Sequence, residues 1–185
     1  FQAVRDCGLR LLKLFAQSLE VEEDFFTRHY ENPTILMRLL HYPPPIGNIE
    51  PGRLRAGEHS DVGRMVILRN DPVPGGLQVK IREGKWIDAP AVENTFILNI
   101  GDLLMRWTND RWLSNLHRVI NPKDGDSGGS RLSIAFFNQP NYDTLIECLP
   151  PLSPAKYSPV LSGDYRDLKY QKTGLTSATR SPLSE

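Results

Sequence analysis

Two histidines and an aspartate carry the strongest chemical signal in this sequence: His59-Ser60-Asp61, and His117 further along the chain. The first triplet falls where the chain reads as extended or turning. Side chains two apart then point the same way, so an imidazole and a carboxylate can meet on one ion. His117 lies in Ser114-Asn115-Leu116-His117-Arg118-Val119-Ile120. That pattern predicts a strand with His117 in its middle, pointing into a barrel while Leu116 and Ile120 point out. Two imidazoles and one carboxylate on a face of an octahedron leave three positions open, which suits ferrous iron; the same donors also suit Zn(II). A second triplet, His29-Tyr30-Glu31, serves as an internal control. With 22 acidic residues in 185 and four histidines, the chance of at least one accidental His-x-acid triplet is roughly even. His29 and Glu31 fall at the end of a predicted helix, where residues two apart diverge, and we read that pair as coincidence. On spacing alone, the alternative that His59 caps a turn and His117 is a hydrogen-bonded core histidine stays open.

Arg131 and Ser133 form the second constellation. They share one face of a predicted strand, while Leu132, Ile134 and Phe136 alternate with them and point outward. An arginine turned into a small barrel is costly unless something anionic meets it. No acidic residue lies on the same strand. A carboxylate ligand held by the guanidinium, with the Ser133 hydroxyl as a further donor, would satisfy it; the alternative is a bridge to a distant Asp or Glu. Tyr42, ending an earlier strand before Pro43, could add a hydroxyl.

These residues need strands to hold them. Short apolar segments recur at Ile35–Tyr42, Met65–Leu68, Leu77–Ile81, Phe96–Ile100, Leu103–Trp107, Leu116–Ile120 and Leu132–Phe137. Between them lie the turn signals Asn70-Asp71-Pro72, Pro74-Gly75-Gly76, Glu83-Gly84, Asn109-Asp110 and Asp124 to Gly129. The pattern predicts a mainly β sandwich, jelly roll or barrel. Ahead of it, apolar residues at helical spacing from Phe1 to Glu20 predict an amphipathic helix, and Glu22 to Tyr30 a second, shorter one with acidic residues in its first turn. We therefore divide the chain into a helical scaffold (1–32), a β core (33–148) and a partly irregular C-terminal extension (149–185). The extension should hold a short helix over Asp164–Lys172 and a loose final dozen residues.

Composition narrows the functional classes. Lys plus Arg and Asp plus Glu both number 22, giving zero net charge, against a nucleic-acid-binding or polybasic membrane surface. No apolar run approaches the roughly 18 residues a membrane span needs, and no signal peptide is visible. Two cysteines, Cys7 and Cys148, are read as reduced thiols, hence a cytoplasmic protein. Phe1 opens within a helical pattern, as a fragment would. The expected partner is a small-molecule substrate; oligomeric state is not legible.

Several stretches together resemble the Fe(II)- and 2-oxoglutarate-dependent dioxygenases, in the branch similar to isopenicillin N synthase. They are Arg38-Leu39-Leu40-His41-Tyr42-Pro43-Pro44, His59-Ser60-Asp61, Gly75-Gly76-Leu77-Gln78-Val79, Gly84-Lys85-Trp86-Ile87, Asn99-Ile100-Gly101-Asp102, Arg106-Trp107-Thr108-Asn109, His117-Arg118-Val119 and Arg131-Leu132-Ser133. The resemblance implies a double-stranded β-helix (jelly-roll) core with helices packed on one sheet. It implies His59, Asp61 and His117 as iron ligands, and Arg131, Ser133 and Tyr42 as the anchor for the distal carboxylate of 2-oxoglutarate. Asn99 would stand behind the ligands or face substrate, while Gly75, Gly76, Gly101 and Asp102 would shape turns. The implied reaction consumes 2-oxoglutarate and O2, releases succinate and CO2, and hydroxylates, desaturates or cyclises a small organic substrate. Rival readings are an isopenicillin N synthase-like or ethylene-forming-type oxidase that does not use 2-oxoglutarate, a truncated non-catalytic metal- or carboxylate-binding module, and a hydrolytic zinc site. The chain departs from the branch in lacking its N-terminal region, in Glu58 before the first ligand, and in Val62-Gly63-Arg64-Met65 after the pair.

Overall fold

A computed structural model describes residues 1–47, 49–73, 75–123 and 129–172. The chain opens with helix α1 (Gln2–Ser18), whose buried residues Gly8, Leu12 and Ala16 recur every four positions and form the stripe laid on the sheet. The expected second helix is absent. Residues 22–30 turn instead, with only a single 3-10 turn at Thr27–His29. Thr27 Oγ1 donates to the Asp24 carbonyl, a local bond that competes with helix propagation. Phe26 is driven edge-on into Trp107, with ring centroids 5.3 Å apart.

Eight strands then make two four-stranded antiparallel sheets. The larger has the order β1 (Pro33–Tyr42), β8 (Arg131–Asn141), β3 (Met65–Asn70), β6 (Ile97–Ile100). The smaller runs β2 (Leu54–His59), β7 (His117–Ile120), β4 (Gly76–Lys80), β5 (Trp86–Asp88). Apart from the β4–β5 hairpin, consecutive strands alternate between the sheets, the jelly-roll arrangement that the sequence predicts. A two-stranded ribbon, β9 (Leu145–Ile146) with β10 (Val160–Leu161), leads to helix α3 (Ser162–Lys172), which covers the expected Asp164–Lys172 helix. The expected loose tail and the Asp124–Gly129 turn, Gly129 apart, lie outside the described residues, as does Pro74.

The Leu103–Trp107 segment, expected as a strand, is helix α2 (Asp102–Trp107). Leu103, Leu104 and Trp107 sit at i, i+1 and i+4, so one helical face buries all three.

Alternation along β8 separates two cores. On the outer face Met65 joins Leu12 and Ala16 of α1 and Leu103, Leu104 and Trp107 of α2 in one core, and Phe1 covers the Phe136 ring with centroids 5.3 Å apart. Inward-facing Val66, Leu68, Leu77 and Ala135 fill the space between the sheets. Leu132 and Ile134 do point outward and are exposed. No helix among the described residues is long and apolar enough to cross a membrane.

Candidate metal and carboxylate site

His59 ends β2 and His117 opens β7, where the two strands pair His59 against His117. His117 is thus a strand's first residue, not its middle. The imidazole centroids are 4.2 Å apart. Asp61 lies just past β2, with its Oδ2 3.7 Å from His117 Nε2. One ligand atom from each of the three residues falls within 4.8 Å of the others. The sequence pairing of 59, 61 and 117 is therefore realised in space. His29 instead packs beside Trp107 and joins no such cluster among the described residues.

Backbone carbonyls set each imidazole's tautomer. His59 Nδ1 lies 2.8 Å from the Gly57 oxygen and His117 Nδ1 3.2 Å from the Asn115 oxygen. A carbonyl only accepts, so Nδ1 donates and Nε2 keeps its lone pair for an ion. Burial holds the His117 pKa below its ordinary value; the Asp61 carboxylate opposes that shift, and the neighbouring His59 reinforces it. Asn99, on β6, donates from Nδ2 to Asp61 Oδ2 at 3.4 Å. Glu58 faces out and pairs with Lys80 at 3.3 Å.

The turn after His59 is held from two sides. The first amides of α2 and its cap bond back to it: Gly101 N to Arg64 O and Asp102 N to Asp61 O, both 2.8 Å, and Leu103 N to Gly63 O at 3.1 Å. A side chain at Gly101 would collide with the Gly63 carbonyl. From α3, Lys169 Nζ donates to Ser60 O at 3.0 Å and Ser60 Oγ at 2.7 Å, and also pairs with the buried Asp102 carboxylate. Tyr165 donates to the same carboxylate at 3.0 Å; burial and that negative charge push its phenol pKa up, keeping the donor protonated. Sequence reasoning missed Lys169 and Tyr165.

Across the cavity stand Tyr42, Arg131 and Ser133, which share its lining with His59, Asp61, Asn99 and His117. Tyr42 pairs with Arg131 in register, and the guanidinium sits 5.3 Å from the phenol ring centroid. Arg131 is 3% exposed. Burial lowers its pKa, partly countered by Tyr42 and Asp71. Among the described residues no carboxylate comes within 4.0 Å of it, and its Nη1 has no hydrogen-bond partner. Gly76, with φ +130°, leaves room for the guanidinium: a Cβ there would stand 3.2 Å from Arg131 Nε. The residues present thus fit both groups, a divalent ion among three donors and an anion at an orphaned guanidinium.

Comparison with known proteins agrees with this geometry. Residues 33–140 match the profile of the 2OG-Fe(II) oxygenase superfamily. A 2-oxoglutarate-Fe(II) type oxidoreductase, hxnY, of Emericella nidulans is 37% identical over all of this chain and 54% of its own length. A 1-aminocyclopropane-1-carboxylate oxidase of Dictyostelium mucoroides is 35% identical over 76% of this chain and 45% of its own. Among solved structures, a full-length Neurospora crassa protein in complex with alpha-KG and thymine superposes with a TM-score of 0.86 at 36% identity, over 94% of this chain and 54% of that one. The chain spans about half the length of the curated relatives it matches.

Proposed function

Because this chain belongs to the 2OG-Fe(II) oxygenase superfamily, we propose that the protein is a non-haem Fe(II), 2-oxoglutarate-dependent dioxygenase acting on a small organic molecule. In this reading His59, Asp61 and His117 hold the iron, and Arg131, Ser133 and Tyr42 receive the distal carboxylate of 2-oxoglutarate. The observation that carries it is the buried Arg131, which faces the three donors across one cavity with no carboxylate of its own among the described residues. Bound iron supplies dioxygen activation and oxidation of an otherwise unreactive C–H bond.

The chain's own residues supply the rest. Nε2 of each imidazole and the Asp61 carboxylate would hold the ion. Arg131 would neutralise the distal acid and fix the orientation of the keto acid. Val66, Leu68, Leu77 and Phe137 line the space between and keep water from it.

The substrate class follows the relatives: thymine is bound in the Neurospora structure, and a neutral overall charge gives no reason to expect nucleic acid. Cys7 and Cys148 are both free thiols, in keeping with a cytoplasmic location. A second reading, an oxidase that does not use 2-oxoglutarate, draws on the aminocyclopropane carboxylate oxidase relatives. The deciding experiment incubates full-length protein with Fe(II), 2-oxoglutarate and O2. Succinate formed in step with 2-oxoglutarate consumed, and absent in His59→Ala, is expected. No 2-oxoglutarate consumption in a folded, iron-loaded protein rejects the first reading in favour of the second.

A further inference from the structure

Ser133 Oγ lies 2.7 Å from Asn70 Oδ1, on the neighbouring strand β3, where the two residues stand opposite each other in register. A serine hydroxyl has one hydrogen. Given to Asn70, that hydrogen is lost to any ligand, and the buried Asn70 Nδ2 is left with no hydrogen-bond partner among the described residues. Half a turn of the amide exchanges its ends in place. Nδ2 then donates to Ser133 Oγ, and the hydroxyl hydrogen is free to point elsewhere. Two residues away on the same face of β8, Arg131 Nη1 also lacks an acceptor among the described residues. Asn70, Arg131 and Ser133 are each more than nine-tenths buried and line the same cavity. A carboxylate can take the guanidinium hydrogen and the hydroxyl hydrogen together, and its charge matches the buried guanidinium.

We propose that Asn70 is a positioning residue for the cosubstrate: its amide donates to Ser133 Oγ and so commits the Ser133 hydroxyl hydrogen to the distal carboxylate of 2-oxoglutarate. This rests on the cosubstrate reading above and extends it to a residue outside the expected anchor. Sequence reasoning passed over Asn70 because Asn70-Asp71-Pro72 looks like a turn signal, yet Asn70 is the last residue of β3 and faces inward.

The test uses full-length protein loaded with Mn(II), which holds the ligands without turnover, and measures binding of two keto acids. One is 2-oxoglutarate; the other is 2-oxobutanoate, which keeps the chelating end and lacks the distal acid. Asn70→Ala is expected to weaken 2-oxoglutarate by about tenfold, the scale of one hydrogen bond to a charged group, and to leave 2-oxobutanoate and Mn(II) unchanged. In a Ser133→Ala background the same change should add less than about twofold, because the group it acts through is gone. Asn70→Asp keeps the side chain's shape and should weaken 2-oxoglutarate further, since its carboxylate takes the serine hydrogen and faces Arg131. If Asn70→Ala loses Mn(II) as well, Asn70→Asp carries the comparison. Equal loss of both keto acids, or a full tenfold added on top of Ser133→Ala, overturns the proposal. Wild-type protein that binds 2-oxoglutarate alongside an unaffected Asn70→Ala sinks this proposal alone. Wild-type protein that cannot bind 2-oxoglutarate sinks the cosubstrate reading with it.

Discussion

The carbonyls of Gly57 and Asn115 fix what His59 and His117 can offer, because each takes the Nδ1 hydrogen two residues away. The sequence shows the three donor residues but not these partners, since a backbone carbonyl has no residue type to read. Asn99 is the side chain that steadies Asp61. Asn99→Ala should lower Mn(II) affinity about tenfold, the low end for a group behind a ligand, as read by calorimetric titration; an unchanged affinity would show the contact to be idle. Acid should release the ion as well. Burial keeps the His117 pKa below its ordinary value of about 6.5. Proton competition at His117 therefore sets in below that pH, and metal affinity should fall below about pH 6. The metal-free fold should respond in the same window. The unfolded chain takes up the proton that buried His117 refuses, so stability is level above about pH 6.5 and declines on acidification through the lowered folded value. Urea midpoints across that range should show a slope that His117→Gln reduces.

At the scale of elements, α2 was the segment least legible in advance. Six residues with four large apolar ones fit a buried strand as well as a helical turn, and nothing local decides. What decides is the Gly101 backbone, which bonds against the Asp61–Arg64 turn with no space for a Cβ. Gly101→Ala should cost about 3 kcal/mol in chemical denaturation, the upper range for an overpacked site. Helix α3 was legible from its composition, but the reach of Lys169 to Ser60 across 109 residues was not, because one sequence carries no record of long-range contact. Lys169→Met should lower stability, because it strands the buried Asp102 carboxylate, and weaken metal binding severalfold in the protein that still folds, because it frees Ser60 between two donors. Unaltered metal affinity would reduce the lysine to a packing role. The 22–30 segment failed as a helix for the opposite reason: tertiary demand for Phe26 beside Trp107 overrode its acidic first turn.

For the whole molecule, the alternation of Arg131, Ser133 and Ala135 against Leu132, Ile134 and Phe136 was readable, and with it the inner and outer faces of the larger sheet. The division of labour between sheets was not, because it depends on pairing. His59 and His117 belong to the smaller sheet, whereas Tyr42, Asn70, Arg131 and Ser133 belong to the larger. A keto acid chelated at one and anchored at the other spans the gap. Mn(II)-loaded protein at 2-oxoglutarate concentrations of about 100 times its Kd should gain about 2.7 kcal/mol of stability. A thermal shift should report it, and Ser133→Ala should keep the metal's share of the shift and lose much of the keto acid's. With the gap unspanned, the two halves of the roll part more readily, and degradation follows how often a chain stands open. Scarcity of the keto acid would then shorten this protein's survival in addition to slowing its turnover, so its abundance would become a slow record of metabolic supply.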